Sequence, residues 1–170
     1  MPFLPRFALD QNFPTPILNV VRRSIVEAEL KHIREVDERL SDLDDPPLIV
    51  ALALRGFRAL VTSDAKMLSQ PRVLSALRQT GMALVVTAEA GHDSIKAAGM
   101  FLTYLPFIAQ QLSVIPTSQS RVWLLKVANR GGVDPRSLLD QAARHKNTTA
   151  QRLLDEHALT DEELSTDPIG

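Results

Sequence analysis

The sequence has no cysteine at all among its 170 residues. That excludes disulfides and thiolate metal sites, and it fits a reducing cytosol. Aromatic residues make up only 5% of the chain, with one Trp and one Tyr. A protein that recognises single-stranded nucleic acid by stacking bases would have few platforms here. No basic segment followed by a long apolar one opens the chain, so no signal peptide is expected. The apolar runs are too short or too interrupted to span a bilayer, so no membrane partner is expected and the cytoplasm is the expected location. There is no internal repeat and no low-complexity tract. Gly131-Gly132 lacks the lysine and the strand–turn–helix setting of a phosphate loop. Ser24, Ser63 and Ser94 lack the glycines of a nucleophile elbow. His32, His92, His145 and His157 show no metal-ligand spacing.

What is present is an ordinary globular composition, 45% apolar and 23% charged, long enough for a sizeable core. The net charge of −1 hides an uneven distribution. From Asp155 onward there are six acids (Asp155, Glu156, Asp161, Glu162, Glu163 and Asp167) and no Lys or Arg, which leaves a basic body and an acidic tail. A polyanionic partner is compatible with such a body. Arg22, Arg23, Lys31, Arg34, Arg55, Arg58, Lys66 and Arg72 are the cations that would line a substrate groove, although each taken singly is more often a solvated surface charge.

The pattern alternates. Arg6–Asp10 reads as a short buried strand, and Pro14 and Pro16 suit the first turn of a helix carrying Ile17, Leu18, Val20 and Val21. Glu27–Leu40 fits either a helix or, over Glu29–Val36, a twisted strand. Asp44 or Asp45 caps a buried helix over Leu48–Leu54, which Gly56 ends. Then come a strand at Phe57–Thr62, a helix at Val73–Gln79 closed by Gly81, and a core strand at Met82–Thr87. A long helix follows over Asp93–Leu112, broken or kinked at Pro106, and then an edge strand over Arg121–Val127. Helices over Asp134–His145 and Thr149–Glu156 form a C-terminal extension. Strands alternating with helices predict an α/β fold: a three-layer α/β/α sandwich around a mainly parallel sheet over residues 1–128, with the helical extension and acidic tail over 129–170.

In such sheets ligands bind beyond the carboxyl ends of the strands, and Asp10 and Asp64 both sit at such ends. Each acid also has a plainer role as a helix cap or turn residue, and so has Asp44 or Asp45 beside proline. Asp93, after the Gly91-His92 turn, caps the long helix or touches the outer rim of the site. Carboxylates from two strand ends and a helix start can converge, and Mg2+ or Mn2+ would remove their mutual repulsion and activate water beside a phosphate.

The stretches Phe7-Ala8-Leu9-Asp10-Gln11-Asn12-Phe13-Pro14, Asp44-Asp45 before an apolar helix, and Ala59-Leu60-Val61-Thr62-Ser63-Asp64 resemble the PIN-like nuclease superfamily, in its compact branch opening with LDxN-P. The likeness covers about residues 5–110. It implies a metal-dependent endoribonuclease with Asp10, Asp45 and Asp64 as catalytic and metal-holding acids. Asp44 stands one step out of register, and Asn12 supports the site by hydrogen bonds. The likeness also favours a strand over Glu29–Val36, which would make Asp37 a further metal-site acid. Many relatives are VapC-type toxins of toxin–antitoxin pairs, and PIN-like proteins are commonly dimers. RNA, an antitoxin protein and a second copy are therefore the expected partners, and the apolar run Met100–Ile108 is either core or the dimer face. Relatives often carry an acid where this chain has Lys66. That departure leaves open a domain that binds without cutting, or a lysine that contacts substrate phosphate. An unrelated phosphotransfer domain with Asp10 as nucleophile is a third reading.

Overall fold

The computed structural model describes residues 4–13, 15–87, 90, 93–126, 134–160 and 164–165. Pro14, Gly91, His92, Val127, Gly131, Gly132 and the tail acids Asp161, Glu162, Glu163 and Asp167 lie outside the described residues. The chain divides into two compact units, residues 1–128 and 129–170.

The first unit is built on five strands: β1 (Arg6–Leu9), β2 (Glu29–His32), β3 (Ala59–Thr62), β4 (Ala83–Val86) and β5 (Val122–Leu124). All pair in parallel, in the order β2-β1-β3-β4-β5. Helices α1 (Thr15–Ser24), α2 (Ile33–Val36), α3 (Asp45–Leu54), α4 (Pro71–Thr80) and α5 (Ser94–Val114) connect them, with 3-10 turns at Glu38–Asp42 and Ala65–Ser69. This is the expected three-layer α/β/α sandwich.

Strand side chains alternate between the layers, as the period of two demands. Phe7, Leu9, Ala59, Val61, Ala83 and Val85 join the core under α1 and α5. Ala8, Leu60, Leu84 and Val86 join the core under α3 and α4. Central strands covered on both faces read as unbroken apolar runs, which is why β3 and β4 are the plainest elements in the sequence.

The strand expected over Glu29–Val36 is half that length. His32 ends it by capping α2: its ring accepts from the Arg34 N–H, and the Glu35 carboxylate accepts from the His32 N–H. That capping box satisfies two orphan donors and turns the chain into a helix. The long helix α5 continues past Pro106 to Val114. Of the run Met100–Ile108, Met100, Phe101, Leu105 and Ile108 are core, whereas Leu102 and Phe107 face outward.

Winding reverses once. From β1 the chain steps to β2, then crosses back over β1 to β3 and on to β4 and β5. The step β1–α1–β2 and the opposite step β4–α5–β5 both place their helix on the same face, so these two crossovers have opposite hands. Parallel crossovers are right-handed in nearly all proteins. The return from α5 to β5 is held by Arg58, whose buried guanidinium donates to the carbonyls of Gly81 and Thr117, each at 3.1 Å.

The second unit is a helix pair, α6 (Pro135–His145) and α7 (Ala150–Glu156), closed on Ala143, Ala150 and Leu153. The hydroxyl of Thr149 caps α7 by accepting from the Arg152 N–H at 3.2 Å. No helix among the described residues is long and apolar enough to cross a membrane.

Candidate active site

The reversal of winding falls between β1 and β3. The chain leaves β1 toward α1 on one face and leaves β3 toward α4 on the other, so the two loops part and a crevice opens at the carboxyl edge. Asp10 follows β1 directly, and Asp64 stands two residues beyond β3. Because α3 runs back against the strands, its first turn, with Asp44 as N-cap and Asp45 as first helical residue, starts at the same edge.

One buried side chain couples the two strand ends. Thr62, 1% exposed, donates its hydroxyl to Asp10 Oδ2 at 2.9 Å and accepts from the Asp64 N–H at 3.0 Å. The Asp10 N–H extends the ladder by donating to the Val61 carbonyl at 2.9 Å. Asp10 does not cap α1: its other oxygen accepts from the Gln11 N–H at 2.7 Å. Asp64 Oδ1 caps the 3-10 turn by accepting from the Lys66 N–H at 2.8 Å. Asp45 Oδ2 accepts from the Gln70 side-chain amide at 3.4 Å.

The field at this edge is negative. The Asp45 carboxyl holds its proton more tightly than usual, chiefly through burial and also through the charges of Asp10, Asp64 and Asp44, with the Gln70 hydrogen bond working the other way. Asp10, Asp44, Asp45 and Asp64 take part in none of the ion pairs among the described residues. An all-oxygen donor set with uncompensated charge fits Mg2+ or Mn2+ in kind. The spacing is looser: no three Asp, Glu or His side chains among the described residues stand close enough to hold one ion as arranged.

The other expected residues lie further out. Asp37 is bound by Arg39 and Arg55 and caps the Glu38–Asp42 turn, and those hydrogen bonds and charges pull its carboxyl down to about 2. Asn12 is exposed in the turn after Asp10, with no side-chain hydrogen bond among the described residues. The Lys66 side chain is exposed and unpaired among them. Asp93 is exposed and caps α5 by accepting from the Lys96 N–H at 3.0 Å.

Sequence reasoning left the roles of three residues unread. Thr62 was hidden inside a strand pattern. Gln70, 25 residues beyond Asp45, had no signal at all. His32 is a buried core residue whose ring faces the Gln11 and Phe13 carbonyls, so it braces the turn that carries Asp10. Compared with known proteins, the chain matches no family model, no curated protein and no solved structure, so the likeness to PIN-like proteins stands on its short motifs alone.

Proposed function

We propose that the protein is a metal-dependent endoribonuclease, in which Asp10, Asp45 and Asp64 would hold Mg2+ or Mn2+. The observation that carries this reading is the Thr62 bridge, which ties the acids of two strand ends together where the winding reverses. When bound, the cation supplies positive charge beside a phosphodiester and a water acidic enough to attack it near neutral pH. The chain's own residues do the positioning. Thr62 fixes the Asp10 carboxylate, the turn after β3 fixes Asp64, and Gln70 steadies Asp45. A role as the toxin of a toxin–antitoxin pair, with an antitoxin and a second copy as partners, rests on the family likeness.

The test is cleavage of a mixed RNA pool with Mn2+, wild type beside Asp10→Asn, with EDTA as control. Cutting is expected to need both the metal and Asp10. Wild-type rates from Asp10→Asn, or cutting that survives EDTA, would overturn the assignment.

The acids are not gathered into a ready-made ligand trio, and this favours a second reading: a PIN-like module that binds RNA without hydrolysing it. Folded protein that binds RNA but leaves it intact at saturating Mn2+ would decide for that module.

A further inference from the structure

Asp44 and Asp45 open into a cleft of about 660 Å3 whose walls are the first turn of α3 and the segment leading into α4. Gln11, Asp44 and Asp45 line one side; Ser69, Gln70 and Arg72 line the other. A second cleft of about 410 Å3 runs on between α3 and α4, past Val50 and Ser75 to Gln79. The two share Pro46 and Arg72, so they form one groove leading away from the acids with Arg72 at its junction.

Arg72 is exposed, and its side chain makes no hydrogen bond or ion pair among the described residues. A free guanidinium presents a planar fork that matches a phosphate. Among the described residues it is the one cation lining this groove, and it stands where a strand leaving the carboxylates would need its charge met. Beyond Asp44 and Asp45 at the end nearest the site, the other lining groups among the described residues are neutral amides and hydroxyls, proline rings and short apolar side chains, with no aromatic ring. Such a wall holds a sugar–phosphate backbone without reading bases.

We propose that the groove between α3 and α4 is the track for a single-stranded RNA segment flanking the cleavage point, with Arg72 as the contact to a flanking phosphate. The inference rests on the nuclease reading only in taking the acids as one end of the track; strand binding is tested apart from cutting.

The experiment is fluorescence anisotropy of a labelled, unstructured RNA of about 12 nucleotides. It is run in EDTA from ~50 to ~200 mM salt, with wild type, Arg72→Gln, Ser75→Lys and Arg78→Gln. Arg78 is exposed on the last turn of α4 and lines neither cleft. Arg72→Gln should weaken binding about fivefold and flatten the salt dependence by about 0.7 log units per decade, the loss of one phosphate contact. Ser75→Lys should tighten binding and steepen that slope, and Arg78→Gln should change neither. A duplex of the same length should bind more weakly than the single strand. Unchanged affinity and slope for Arg72→Gln, or equal binding of duplex and single strand, would overturn the proposal. If wild type also cuts RNA with Mn2+, that result removes the track and leaves the nuclease. Arg72-dependent binding without cutting keeps the track and removes the nuclease.

Discussion

Thr62 offers one hydroxyl to two neighbours, and both are the acids' own strand ends. Thr62→Val keeps the shape but leaves the Asp64 N–H without its acceptor and Asp10 Oδ2 without its donor. The cost in stability is expected at about 1–2 kcal/mol by urea unfolding. Outer-shell partners of metal ligands typically matter more to the site than to the fold. Mn2+ affinity by calorimetry should therefore fall ~10-fold or more, and Thr62→Ser should restore it. Asp45 tests the field directly. A carboxyl whose folded value is raised makes the folded state less favourable above the ordinary carboxylate range. Without metal, Asp45→Asn should therefore be more stable than wild type at pH 7, by a fraction of ~1 kcal/mol after solvent screening. The gap should close below about pH 4, where the unfolded chain is protonated too. Adding Mn2+ should raise the melting temperature of wild type and not of the variant. Asp37 has the opposite sign. Its carboxyl is held down at about 2 by Arg39 and Arg55, so its contribution is present above about pH 4 and fades as pH falls toward that value. Asp37→Asn should melt slightly earlier at pH 7 and together with wild type near pH 2.

At the scale of elements, the central strands were legible because burial on both faces leaves nothing but apolar residues, as in Ala59-Leu60-Val61 and Ala83-Leu84-Val85-Val86. The edge at β2 was not. There His32 and Glu35 spend their side chains on a capping box, a local contest between strand and helix that periodicity does not register. The acids at strand ends were legible from position. Arg72 was named among the groove cations and lines the cleft, but the roles of Thr62 and Gln70 were not legible, because they come from strand register and from the packing of α3 on α4, across separations no motif spans. Arg58 shows the same limit: read as a groove cation, it is in fact a buried clamp at the amino end of β3. Burial lowers its guanidinium's proton affinity, and carbonyls answer its charge. Arg58→Met should cost about 2–4 kcal/mol in urea, since it strips the buried Gly81 carbonyl and the part-buried Thr117 carbonyl of their donor and frees the return from α5 to β5. Gly81 faces the same return: its φ is +72°, and a methyl there would strike the Thr117 carbonyl. Gly81→Ala should destabilise on both counts.

At the scale of the whole molecule, the core divides at Ala128 and the charge further on, at Asp155. The first 154 residues hold five more basic than acidic side chains, and all the cations of the strand track and its surroundings belong to that part. Neither core cluster of the sandwich reaches beyond Leu125, and the only cluster described beyond it is the small one of Ala143, Ala150 and Leu153. A core that draws nothing from the second unit should fold without it. The chain ended after Ala128 is therefore expected to unfold in a single cooperative transition, within a few degrees of the corresponding transition in the full chain, by circular dichroism. Its RNA binding should be tighter than that of the full chain at low salt, because residues 129–170 carry eight acids against five Lys and Arg, and that net negative charge, which repels a polyanion, is gone. The difference should vanish at ~0.5 M salt, where screening removes it. A shortened chain that is unfolded would show that 129–170 completes the sandwich. One that is folded but binds RNA more weakly would make the acidic unit part of the binding surface rather than a charge set apart from it.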